Sequence, residues 1–329
     1  MKKMSAILLT IIVSLGMSNT VYATSPDSSN AKQILINFGY NPDVVDSLEE
    51  TEINNYASTI LENPDSIEIE NGNVTTDNIE FIEEFLTTPE ADLMASGIDE
   101  TEIEEVHNEL EELKEMSKEE LHVSNVEYAV LQEALNSTPD NAPDEIAAED
   151  TVTSSGAIST STMSFSLTVV NKSTKTQPIY DVSNSFTWKK SFLMFGNSDK
   201  IGMAWSGNLN NRYNSSNLTY SIRDARTGGW FNNTLKKQTA STTTNPNKGL
   251  IFSFSQSKNK SGSFWRVKSG TVKTQLFQTK KKGVSQKLAT QYAHAKAGAS
   301  GISISTGGVG VNIGTKYDKS SEQSKNITN

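Results

Sequence analysis

The chain has 329 residues, with 29 Lys+Arg against 39 Asp+Glu and no cysteine, which is length enough for two domains of ordinary size. Without cysteine there is no disulfide framework, thiolate nucleophile, zinc–cysteine site or lipid-modified N-terminal cysteine. At 35% hydrophobic residues the chain is too polar for a polytopic membrane protein.

In chain order, Lys2 and Lys3 precede an apolar stretch from Ala6 to Gly16 and a polar run ending Val21-Tyr22-Ala23. This is the layout of a secretory signal peptide, with cleavage expected after Ala23, and the stretch is shorter than the roughly 20 apolar residues that span a bilayer. Residues 1–23 are therefore assigned to export, and the mature protein is expected outside the cell.

Residues 24–150 carry 34 acidic side chains and three basic ones, Lys32, Lys114 and Lys118. Within them, residues 24–136 read as an acidic, all-α domain of short helices. Asn41-Pro42-Asp43 and Thr88-Pro89-Glu90 each place a capping residue before a proline at the first helical position, and Gly39 and Gly97 stand where helix C-caps are expected. Ile103, Val106, Leu110 and Leu113 make one apolar stripe on a helix from Glu100 to about Met116. Ser117-Lys118-Glu119-Glu120 has capping-box spacing, and a last helix is expected from Val126 to Leu135. Glu-Thr-Glu-Ile occurs at 50–53 and again at 100–103, a hint of a duplicated helical unit.

Residues 137–162 contain Pro139 and Pro143 among small polar residues, too little apolar area to order them, and read as a flexible linker. Beyond it the charge inverts: residues 151–329 hold 24 basic side chains against five acids, Asp181, Asp199, Asp224, Asp318 and Glu322, together with all four tryptophans. Residues 163–329 read as a basic, all-β antiparallel sandwich or barrel. The expected strands are Ser164–Val170, Ile179–Trp188, Ile201–Trp205, Leu218–Ile222, Leu250–Phe254, Ser263–Val267 and Thr271–Phe277, followed by a hairpin in which Ile302 and Ile304 are answered by Val309, Val311 and Ile313. The fold class is thus α+β by domain.

Catalytic templates find little to match. His107, His122 and His294 lack metal-binding spacing, and Gly298-Ala299-Ser300-Gly301 is not a nucleophile elbow. Paired carboxylates for glycoside hydrolysis would have to come from Asp181, Asp199, Asp224 and Asp318, residues that a basic domain uses more often in salt bridges. The glycines at 307, 308, 310 and 314 fit a hairpin better than a phosphate loop. No cofactor is expected.

What the basic half offers is cations beside aromatics: Lys189 and Lys190 after Trp188, Lys236 and Lys237 after Trp230, Arg266 after Trp265, and Lys280, Lys281 and Lys282 at a turn. Charge attracts a polyanion and rings stack on it. The expected partner is an anionic cell wall polymer or anionic membrane surface, with nucleic acid ranked below both. The expected function is non-enzymatic binding by the β domain, with the acidic domain as an intramolecular mask or propeptide. The alternative is a secreted pore-forming or bacteriocin-like toxin, for which the last hairpin has the two-faced alternation of a membrane β segment. A hydrolase ranks third.

Overall fold

The structure is a computed structural model that describes residues 28–95, 98, 100–121, 125–138, 160–189, 199–206, 208–212, 215–224, 234–238, 248–255, 257–260, 263–279, 285–295, 302–304, 311–313, 317–319 and 322–327. The expected signal peptide and Gly97 lie outside them.

Three helices come first: α1 (Ser28–Phe38), α2 (Pro42–Ser47) and α3 (Glu50–Glu62). Their boundaries follow from local chemistry. Gly39, at φ 115°, closes α1 with its own N–H and that of Tyr40 both directed to the Leu35 carbonyl. Asn41 Oδ1 accepts the Asp43 N–H at 2.9 Å ahead of Pro42. Glu52 Oε2 accepts the Glu49 N–H at 3.3 Å and so caps the helix it belongs to. A 3-10 turn, Pro64–Ser66, ends this unit.

A strand then follows, β1 (Ile67–Asp77), so the acidic half is not all-helical as expected. Period-two alternation explains it. Ile67 and Ile69 point to the core of α1–α3, whereas Glu68, Glu70, Gly72 and Val74 occupy the opposite parity, with Val74 buried between the sheets. A Cβ at Gly72 would stand 2.7 Å from the Phe165 ring and 2.8 Å from Gln323 Cδ, so only glycine fits there.

The helices resume as α4 (Asn78–Thr87), α5 (Glu90–Ala95), α6 (Glu100–Glu115), α7 (Lys118–Leu121) and α8 (Asn125–Leu135). They have a core of their own, in which Ile103, Val106, Leu110 and Leu113 are all buried as the helical spacing predicts. The capping box forms: Glu120 Oε2 accepts from Ser117 N and Ser117 Oγ, both at 2.8 Å. Both Glu-Thr-Glu-Ile copies open a helix and bury their isoleucine, but Ile53 and Ile103 serve different cores.

From Thr160 onward every described element is a strand: β2 (Thr160–Asn171), β3 (Ile179–Trp188), β4 (Asp199–Trp205), β5 (Asn210–Asn211), β6 (Asn217–Asp224), β7 (Thr234–Gln238), β8 (Gly249–Phe254), β9 (Ser257–Lys260), β10 (Ser263–Phe277), β11 (Gln286–Ala295), β12 (Ile302–Ile304), β13 (Val311–Ile313), β14 (Tyr317–Lys319) and β15 (Gln323–Ile327). Helices plus antiparallel sheets therefore make up the fold. Thr160–Thr162, expected in the linker, are strand. The segments expected at 263–267 and 271–277 are one strand, with a register shift between Val267 and Ser269 where two were anticipated.

The larger sheet runs β1-β2-β3-β10-β6-β7, with β5 and β9 also on β10; the second runs β14-β11-β4-β8, with β15 on β11. Every pairing among the described strands is antiparallel. The ladder between β1 and β2 extends from Ile67 opposite Val170 to Asp77 opposite Thr160, so the acidic half supplies the edge strand of the basic half's main sheet. Side chains of both sheets share one core: Phe165, Phe186 and Trp188 from the larger, Met203, Phe252 and Tyr292 from the smaller. Helices α1–α3 pack on the other face of the larger sheet, where their core takes in Val170.

Candidate functional site

Alternation makes the two faces of the large sheet chemically distinct. On β2, Phe165, Leu167 and Val169 enter the inter-sheet core while Ser164, Ser166 and Thr168 face the helices. On β3, Tyr180, Val182, Phe186 and Trp188 enter the core while Ser183, Ser185 and Thr187 face outward. Ser221 on β6 and Ser269 and Thr271 on β10 continue the same surface. An isolated sheet with this pattern would keep a hydroxyl-rich face in water. Here that face is covered.

Beside the apolar contacts of Ile67, Ile69 and Val170 with the helices, several cover contacts are polar. Ser164 Oγ donates to Asp43 Oδ2 at 3.2 Å, and Thr168 Oγ1 to Tyr40 OH at 3.1 Å. Tyr56 OH lies 2.7 Å from Ser183 Oγ. Tyr40 and Tyr56 stack with centroids 5.8 Å apart. Burial, reinforced by Tyr56 and Glu52, pushes the Tyr40 phenol well above its ordinary range; burial, reinforced by Glu52, does the same for Tyr56.

Charge follows the same division. Lys189 Nζ stands 3.0 Å from Asp43 Oδ2, and Lys273 Nζ 2.6 Å from Glu52 Oε1. Arg266 pairs with Glu109 of α6 at 3.4 Å, and Lys325 of β15 lies 3.9 Å from both Glu68 and Glu70 of β1. In each pair a base of the basic half meets an acid of the acidic half.

Between α3 and the sheet there remains a polar cavity of about 700 Å³. Glu52, Asn55, Tyr56, Thr59 and Glu62 form its helical wall, at the spacing of one helix face. Asp181, Ser183, Lys273 and Gln275 form its floor, with Gln275 Nε2 donating to Asp181 Oδ1 at 2.7 Å. A second cavity of about 250 Å³, under α2 and the start of α3, shares Glu52 and Lys273 with the first. The Glu52–Lys273 pair is thus the partition between two lobes of one trench.

The expected binding residues fare differently. Lys189 is exposed and engaged by Asp43. Arg266, expected on the surface, is buried at 0% exposure; Glu109, at 12%, lies over it, and burial lowers the guanidinium pKa against the opposing pull of Glu109 and Glu112. The physical reason for this correction is that α6 turns part of its glutamate-rich surface onto β10. Lys236 and Lys237 lie on β7, opposite Tyr220 and Thr219 of β6. Lys190, Lys280, Lys281 and Lys282 lie outside the described residues.

Of the carboxylates considered for hydrolysis, Asp181 and Asp199 do not converge; the side chains of Asp224 and Asp318 lie outside those described. Asp181 faces the helices, whereas Asp199 is buried in the inter-sheet layer, its Oδ1 2.9 Å from His294 Nδ1 and its Oδ2 accepting from Tyr292 OH. Sheet β2-β3-β10 separates them. Trp188 packs edge-on against the His294 ring, 5.0 Å between centroids. Among the described residues no group of three or more His, Asp and Glu is placed to hold a metal ion. Sequence reasoning missed the cavity residues of α3; the signal available was polar residues at 52, 55, 59 and 62 on the face away from Ile53, Ala57 and Ile60.

The chain matches no protein family and no curated protein sequence. Among solved structures it is similar to the collagen-binding domain of a Staphylococcus aureus adhesin, at 10% identity over 47% of this chain and 89% of that one, with a TM-score of 0.26. The collagen-binding subdomain of the Enterococcus faecalis surface protein ACE gives 6% identity over 48% and 91%, TM-score 0.23. The membrane-inserted form of the Clostridium perfringens NetB toxin gives 8% over 41% and 78%, TM-score 0.20. With overlap this slight, the architecture rests on the strand pairing itself.

Proposed function

We propose that this is a secreted, non-enzymatic binding protein whose basic β half attaches to an anionic cell wall polymer or anionic membrane surface, and whose acidic half is a built-in cover. The division falls at the charge change, with the linker ending before β2 at Thr160 and joining an acidic unit of residues 24–136 to a basic unit that begins at residue 160. The observation that carries the reading is that Lys189, Lys273, Arg266 and Lys325 are each met by a carboxylate of the acidic half. Carboxylates that occupy these cations compete with a polyanion for them, and tethering on one chain raises their effective concentration.

The geometry favours α1–α3 as the removable part of the cover. These helices precede β1, contact the sheet through hydroxyls, ion pairs and an apolar patch at Ile67, Ile69 and Val170, and lie over a trench. An ion pair as exposed as Lys189–Asp43 contributes little net stability, about 0–1 kcal/mol. A chain starting at residue 64 keeps β1 in the sheet and opens the hydroxyl and lysine face. Its binding to purified cell wall and to anionic vesicles should exceed that of the chain starting at residue 24, and salt should weaken it. If neither chain binds either surface at low salt, the reading is wrong.

The toxin alternative retains one specific observation. β12 and β13 pair as a two-stranded unit of their own, Ile302 opposite Ile313 and Ile304 opposite Val311, in the alternation a lipid-facing hairpin needs. Release of dye from the same anionic vesicles, in place of binding alone, would select it.

A further inference from the structure

We infer that the cavity between α3 and the large sheet is a binding site for a neutral carbohydrate of one or two rings. This is independent of the polyanion reading, since it concerns a different face chemistry and a different ligand.

The argument begins with α3. Its apolar stripe, Ile53, Ala57 and Ile60, is spent on the core it shares with α1 and α2. Its opposite face is polar and turned toward a sheet, which it meets through Tyr56–Ser183 and Glu52–Lys273 while leaving a cavity beside those contacts. A helix packed for stability alone would present apolar side chains there and leave no void, because interiors are close-packed and buried polar groups carry a desolvation cost. About 700 Å³ of polar space at such a place is within the size range of small-molecule sites.

The lining states the ligand's chemistry. Val170 is the aliphatic side chain of the lining, Val182 turning its own into the inter-sheet core, too little for an apolar ligand. Glu52, Glu62 and Asp181 outnumber Lys172 and Lys273, and Lys273 is already held by Glu52, so the cavity does not attract an anion. The carboxylates are balanced closely enough by those lysines that a cation is not called for either. What remains are groups able both to donate and to accept, Asn55 and Ser58 on the helical wall and Asn217 on the facing edge, with Thr59 Oγ1, which donates to the Asn55 carbonyl, as a further acceptor. The side-chain amides of Asn55 and Asn217 have no partner among the described residues, and an amide offers two donors and an acceptor of the kind sugar hydroxyls pair with. Asp181, fixed by Gln275, adds a directional acceptor on the floor. Tyr56 contributes the one aromatic ring of the lining, against which a pyranose face can pack.

Titration calorimetry and ligand-observed NMR on the full chain, with glucose, N-acetylglucosamine, cellobiose and chitobiose as probes, test this. The expected result is saturable binding of at least one sugar, unchanged by salt. Asn55→Leu and Asn217→Leu remove amides from opposite walls, and each should weaken binding by about tenfold or more, equivalent to about 1.4 kcal/mol. Lys114→Gln, on α6 and outside the cavity, should leave it unchanged. Circular dichroism and thermal melts of the same variants separate lost binding from lost fold. Absence of saturable binding across the four sugars, or equal affinity in both folded amide variants, overturns the inference. Failure of polyanion binding leaves it untouched.

Discussion

At the scale of single residues, Arg266 shows how context reverses a sequence reading. An arginine after a tryptophan in a basic domain looks like surface, and here it is fully enclosed and paired with Glu109. Removing one partner of a buried pair strands the other and leaves a void, so Arg266→Ala should cost about 3–5 kcal/mol in urea unfolding. Glu109→Gln should cost less, because Glu112 also faces the guanidinium electrostatically. Equal losses would mean that Glu109 alone compensates the charge. No local pattern marks Arg266 as buried: its parity puts it on the helix-facing side of β10, and only α6, more than a hundred residues away in sequence, decides that this side is dry.

At the scale of elements, the contact of α1–α3 with the sheet depends on two neutral phenols. Tyr40 and Tyr56 have folded-state pKa values raised above 10.0, chiefly by burial. Below the unfolded value both states hold the phenolic proton and the contact contributes fully. Above it the unfolded chain ionises first, so stability declines as pH rises toward the folded values. Urea unfolding at about pH 8 and about pH 11 should show this alkaline loss, and Tyr56→Phe should reduce it. At neutral pH the same variant should cost about 1 kcal/mol through the lost Ser183 hydrogen bond. An undiminished alkaline loss in Tyr56→Phe and Tyr40→Phe would place the sensitivity elsewhere. Much of the helix punctuation was legible: Asn41 ahead of Pro42, Gly39 and the 117–120 box fix their ends by interactions within a few residues, whereas Thr88, expected to cap ahead of Pro89, instead donates to the Glu84 carbonyl of the preceding helix. β1 was less so, since Glu68 and Glu70 resemble the surrounding helical glutamates, and Ile67-Glu-Ile-Glu becomes a strand because β2 is there to pair with it.

At the scale of the whole molecule, β1 ties the acidic half to the basic half more firmly than charge does. Eleven residues of ladder with β2, and Val74 in the inter-sheet core, are insensitive to salt screening. After proteolysis within residues 139–159, the two fragments should therefore co-elute on gel filtration at both low and high salt, and separate only in denaturant. Separation by salt alone would show that the ion pairs, rather than the ladder, hold the halves together. The amino-acid sequence by itself determined the opposed charges, the capped helices and the strands with apolar and hydroxyl parities, because these follow from composition and from contacts spaced two to four residues apart. The tertiary structure alone decided that the hydroxyl parity is covered, that Lys189, Lys273 and Arg266 meet Asp43, Glu52 and Glu109, and that a polar cavity opens under α3. Those outcomes depend on which face meets which over separations of a hundred residues or more, and no local periodicity carries that information.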